Sequence, residues 1–70
     1  MDPQQALDQL EKAHGSGDWT HFIIVKYPDG TYQPLCFKAL DDTDAMAIHN
    51  RSKLWHGGSL YRRNPFDKIQ

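Results

Sequence analysis

Between Trp19 and Leu40 the chain reads W-T-H-F-I-I-V-K-Y-P-D-G-T-Y-Q-P-L-C-F-K-A-L, the β-rich run of the sequence, with side chains sorting at a period of two. At its centre, Tyr27-Pro28-Asp29-Gly30-Thr31 supplies turn chemistry. Pro28 presets φ for a type I turn, Asp29 suits the next position, and Gly30 accepts φ > 0 as a bulge. The spacing predicts a hairpin over 19–40 in which Tyr27 faces Thr31. One face then carries Val25/Gln33, Ile23/Leu35, His21/Phe37 and Trp19/Ala39, and the other Lys26/Tyr32, Ile24/Pro34, Phe22/Cys36 and Thr20/Lys38. The first face is mainly apolar and predicts a core; the second is mixed. Pro34 has no N–H to give, and its place in a non-hydrogen-bonded pair makes the second strand a sheet edge.

Helical periodicity flanks the hairpin on both sides. Asp2 as N-cap, Pro3 at the first helical position and Gln5 as capping-box partner open a helix over 2–14, whose stripe is Ala6, Leu7, Leu10 and Ala13. That stripe either packs on the sheet or docks on a partner. A second helix is expected over 41–56, capped by Asp41, with Asp42 and Asp44 against its positive end. Its stripe is Ala45, Ile48, Ser52 and Trp55, flanked by His49 and His56, with Ala47, Asn50 and Leu54 opposite and Gly57-Gly58 as the stop. Residues 59–63 are the candidate third strand, and 64–70, with Pro65 near the start, read as an extended tail pinned by Phe66 and Ile69. A right-handed crossover through the second helix lays this strand beside the first. The expectation is a single α+β domain of order α-β-β-α-β, with a three-stranded antiparallel sheet (order 2-1-3) and the long helix on the Ile23/Leu35/Phe37 face.

Composition narrows what such a domain does. Seventy residues make one domain, and a chain of this size buries only about 60% of its unfolded surface. The single cysteine, Cys36, excludes an internal disulfide, so stability comes from packing or from a two-fold dimer. Eight Lys/Arg against nine Asp/Glu give a net charge of −1, without the basic excess typical of nucleic-acid binders. No apolar run approaches the length of a membrane span and no signal-peptide pattern is present, which points to the cytoplasm.

Candidate chemistry is sparse. His49 and His56 would lie about 10 Å apart along a helix, too far to share a metal. His21 and Cys36 fall on opposite hairpin faces, so neither a thiolate zinc set nor a Cys/His dyad assembles. Gly15-Ser16-Gly17 is a linker, and Gly57-Gly58 follows a helix where a phosphate cradle would precede one. A helix on a small sheet rarely encloses a pocket. The expectation is therefore no enzyme, no metal and no cofactor. The mixed face is different. Phe22, Ile24 and Tyr32 would be apolar anchors for a protein partner, with Lys26, Lys38, Arg62 and Arg63 as the cationic rim, unless the first helix or a second copy of the chain covers them.

The run from Phe22 to His49, two strands ending in F-K-A-L and then D-D-T-D-A-M-A-I-H, resembles two groupings. It is loosely similar to the arm-binding domains of phage integrases and the AP2-type domains, which lay a three-stranded sheet in the DNA major groove; that likeness implies nucleic-acid binding through the sheet face. In size, composition and layout the chain also resembles small accessory proteins of phages and mobile elements, among them anti-CRISPR inhibitors. That likeness implies a module that binds and modulates a host protein, in a host bacterial cytoplasm. The protein-binding reading leads, and nucleic-acid binding is the alternative.

Overall fold

The computed structural model describes residues 1–52 and 58–70. Its elements are α1 (Pro3–His14), β1 (His21–Lys26), β2 (Tyr32–Phe37), α2 (Asp42–Arg51), β3 (Ser59–Arg62) and β4 (Asp67–Lys68). The domain is α+β, with an antiparallel sheet of order β2-β1-β3-β4.

The turn chemistry sets the register. Gly30 takes φ 89°, the N–H of Gly30 donates to the carbonyl of Tyr27 (2.9 Å), and that of Tyr27 to Thr31 (2.8 Å). All six expected pairs follow, from Lys26↔Tyr32 at the turn to His21↔Phe37 at the far end. β3 lies antiparallel to β1 on its free side, with Ile23↔Leu60 and Phe22↔Tyr61. The placement agrees with the expected order 2-1-3, and β2 is an outer strand of the sheet.

Three expectations need correction. The sheet has four strands, because the expected tail at 64–70 does not run off: it turns back, pairing Tyr61 with Lys68 and Arg62 with Asp67. The backbone of Leu60 then bonds both Ile69 (2.8 Å) and Gln70 (2.9 Å). The second helix ends at Arg51, since Ser52 is already extended (φ −91°, ψ 118°). Lys53, Leu54, Trp55, His56 and Gly57, which the sequence placed in that helix and its stop, lie outside the described residues. Finally, Trp19 does not pair with Ala39. β1 begins at His21, and the indole of Trp19 swings to the opposite face of the sheet from Ala39.

Helices cover both faces: of the two alternatives the sequence left open for the first helix, packing on the sheet is the one observed. On the first face Ile23, Val25, Ala39 and Leu60 pack with Ala45 of α2, joined at the margin by Leu35, Phe37, Met46, Ile48 and Ile69. On the second, Phe22, Trp19 and Tyr61 pack beneath Ala6 and Leu10 of α1. α1 is built to hold that position. Gln5 Oε1 accepts from the N–H of Asp2 (3.2 Å) and Asp2 from that of Gln4 (3.2 Å), while Pro3 presets the first turn. Phe22, Ile23 and Leu60 are fully buried, two faces of one sheet supplying two small cores. Each such side chain contributes roughly 1.5–3 kcal/mol through removal from water.

Candidate binding surface

The seven residues expected to form one docking face are distributed by the fold into three environments. Phe22 is core. It is closed off by α1, meets Trp19 edge-on (6.3 Å between centroids), and stacks on Tyr61 (5.2 Å) and Phe66 (6.2 Å). It cannot serve as a surface anchor, because the mixed hairpin face is the bed on which α1 lies. Ile24 is half-buried beside the same cluster, as is Cys36, whose thiol pKa is pushed up by burial.

Arg62 and Arg63 depart in opposite directions. Being consecutive on a strand end, they project to opposite faces of the sheet. Arg62 reaches the α2 side: its Nη1 bonds Asp42 Oδ2, Nε donates to the carbonyl of Pro65 (3.0 Å), and Nη2 lies 3.7 Å from Asp67. Arg63 reaches the α1 side. Its guanidinium lies 3.8 Å from the Trp19 ring centroid, donates to the carbonyls of Gly15, Gly17 and Trp19 (each 3.0 Å), and pairs with Glu11. Both cations are neutralised inside the domain and supply no rim.

Lys26, Tyr32 and Lys38 remain at the surface. Lys38 pairs with Asp18 across 3.0 Å, an exposed contact that holds the Asp18 carboxyl below its usual range and adds little stability. Lys26 sits 5.8 Å from the Tyr32 ring centroid. These two stand at the turn end of the hairpin, where every residue from Lys26 to Gln33 is exposed. Tyr32 is 45% exposed and Tyr27 38%. The end is ordered from within: Asp29 Oδ1 accepts from the N–H (2.9 Å) and hydroxyl (2.6 Å) of Thr31, bonds that hold the carboxyl below its usual pKa. The Tyr27 hydroxyl donates to Gln33 (3.1 Å). Turn-end side chains therefore reach solvent from a backbone held by the N–H groups of Tyr27, Gly30 and Thr31.

The opposite end of the strands holds an arrangement that sequence reasoning missed. Thr20 Oγ1 lies 2.7 Å from His21 Nδ1, and His21 Nε2 lies 2.9 Å from Asp42 Oδ1. Asp42 continues to Arg62. The His21 ring is buried and stacks on Phe37 (5.9 Å). The hydrogen bond from His21, aided by the charge of Arg62 and opposed by desolvation, lowers the pKa of Asp42. The four residues border an open cleft of about 260 Å³. The available signal was the hairpin register: His21 pairs with Phe37, and α2 begins shortly after that residue.

His49, expected at the helix boundary, is buried; Nδ1 lies 3.2 Å from Gln70 Oε1, and Nε2 has no partner among the described residues. Among those residues no three His, Cys, Asp or Glu side chains converge as metal ligands, and no helix is long and apolar enough to cross a membrane. Comparison with protein-family models, curated proteins and solved structures finds no match to the chain.

Proposed function

We propose that this chain is a protein-binding module that acts without catalysis of its own at the contact, and that it docks through the turn end of its hairpin. Tyr32 is the anchor on the face it shares with Lys26 and the half-buried Ile24, while Tyr27 projects from the other face of the turn end beside Gln33. The observation that carries this reading is the pairing of exposure with order: two tyrosines project from a turn whose backbone is fixed by its own hydrogen bonds. Aromatic side chains on such a support lose little conformational freedom on binding, which is what interface anchors require. The likeness in size and layout to accessory proteins of phages and mobile elements supports a host protein in the cytoplasm as the partner.

The nucleic-acid reading loses support from the fate of its expected phosphate contacts. Arg62 and Arg63 are engaged by Asp42, Asp67 and Glu11. Low-salt titration with duplex and single-stranded oligonucleotides tests that alternative directly, because phosphate contacts would produce steep salt dependence.

For the protein-binding reading, the test is affinity capture from a bacterial host lysate with the wild-type chain, Tyr32→Ala, Lys26→Glu and Lys38→Ala. A partner retained by wild type and Lys38→Ala and lost from the other two supports the turn end. Equal retention by all four removes it. Light scattering of the purified chain separates self-association through the same surface from recognition of a different protein.

A further inference from the structure

Beyond partner binding, and independently of it, we propose that Thr20 is an activated hydroxyl nucleophile that takes an acyl group from an ester held in the cleft at the open end of the sheet. A hydroxyl is a poor nucleophile unless a base removes its proton, and the base must itself be held in the right tautomer. Both conditions are met here. The Asp42 carboxylate accepts at Oδ1 from His21 Nε2 (2.9 Å), which places the imidazole proton on Nε2 and leaves Nδ1 as an acceptor. Thr20 Oγ1 lies 2.7 Å from that Nδ1. The backbone N–H of Ala39 donates to the same oxygen (2.9 Å), fixing its position. Asp42 is in turn held by Arg62, so the base has an oriented support.

The surroundings suit a small ester. Thr20, His21 and Asp42 border the cleft, and Leu40 forms part of its wall while remaining 91% exposed. A leucine so exposed beside polar groups offers an apolar surface for the acyl or alcohol portion of a substrate. Asn64 borders the same cleft, where a neutral amide is the kind of donor a developing oxyanion requires. In the step, Oγ1 attacks the carbonyl carbon as its proton passes to His21 Nδ1. The tetrahedral intermediate collapses, the bond to the alcohol oxygen breaks, and the alkoxide leaves with the proton from Nδ1. The products are the Thr20 ester and free alcohol; water, with His21 again as base, then attacks the ester carbonyl, the bond to Oγ1 breaks as Oγ1 regains its proton, and the acyl group leaves as the carboxylic acid.

These contacts also tie α2 to the sheet, so the deciding readout is chemical. The full chain is incubated with p-nitrophenyl acetate at neutral pH and followed by intact mass and peptide mapping, with circular dichroism recorded for every variant. The expected result is one acetyl group on Thr20, formed at least roughly 100-fold faster than in His21→Gln, the usual scale of a lost general base. Thr20→Ser retains the label and Thr20→Val loses it. Acetylation confined to lysines, tyrosines, the amino terminus or His21 itself overturns the proposal, as does undiminished Thr20 labelling in a folded His21→Gln. Should the variants unfold, the wild-type chain alone decides: the absence of both acetyl on Thr20 in acid-quenched samples and p-nitrophenolate release above the buffer rate overturns it.

Discussion

The two ends of the hairpin hold their chains by different means. At the turn end, from Lys26 to Gln33, the bonds join residues close in sequence: Asp29 to Thr31, Tyr27 to Thr31 and Tyr27 to Gln33. At the open end the bonds are long-range. Thr20 meets Ala39, His21 meets Asp42, Arg62 meets Asp42, and Arg63 reaches back to Gly15, Gly17 and Trp19. The turn end is therefore held by local bonds, whereas the open end exists only once strands and helices have assembled. Exposure follows the same division, leaving tyrosines outside at one end and drawing cations inside at the other.

Substitutions that separate the two ends should differ in size. The largest effect is expected at Phe22, beside the open end, where Phe22→Ala removes the ring that Trp19, Tyr61 and Phe66 share; a loss of roughly 3–5 kcal/mol should appear in denaturant unfolding. An exposed Phe22 would show a loss near zero. Next, Arg63→Ala should cost roughly 2 kcal/mol by leaving three carbonyls and the Trp19 face without their cation. Arg63→Lys should recover only part of this, because an ammonium cannot match the planar fork.

Gly30→Ala probes the turn end, and about 1 kcal/mol is expected there from forcing an L side chain to φ 89°, although space around the position is open. Tyr32→Ala should change stability by under about 0.5 kcal/mol while abolishing partner capture, the opposite profile to Phe22→Ala. A Tyr32→Ala chain that fails to fold would erase the contrast between the ends.

Acid sharpens the contrast in a further way. Because Asp42 has a lower pKa folded than its ordinary value of 3.8, its stabilising contribution is complete above that value and is lost as pH falls through the folded pKa. Amide exchange below pH 4 should therefore rise first around His21 and the start of α2. Asp42→Asn should flatten that acid dependence. An unchanged acid profile in Asp42→Asn would show that the carboxylate carries no such linkage. Asp29 also has a depressed pKa, but its bonds are local to an exposed turn, so its titration should loosen the turn without disturbing the sheet.

The hairpin was legible because two independent signals agreed on it. Pro28, Asp29 and Gly30 dictate a loop length, loop length dictates register, and alternation assigns faces to the same residues. The caps at Asp2 and Asp41 were legible for a related reason: capping acts over three or four residues. The docking face was less legible. Its alternation was right, yet a mixed face exposed to solvent and a mixed face under a narrow helix carry the same pattern. Ala6 and Leu10 form too small a stripe to announce where they bind. Arg62 and Arg63 looked like a cationic pair, but strand geometry sends consecutive side chains to opposite faces, and each found a different acid.

Sequence by itself determined the turn, the register, both helix starts and the order of the first three strands, all of which depend on neighbours along the chain or on connection lengths. Only the tertiary structure decided that α1 closes over Phe22, that residues 64–70 return as a fourth strand, and that His21 stands between Thr20 and Asp42. Those outcomes depend on which surfaces meet once the chain is compact. Burial is a non-directional attraction, so the pattern along the chain states how much apolar surface must be covered, while the shapes of the assembled elements select what covers it.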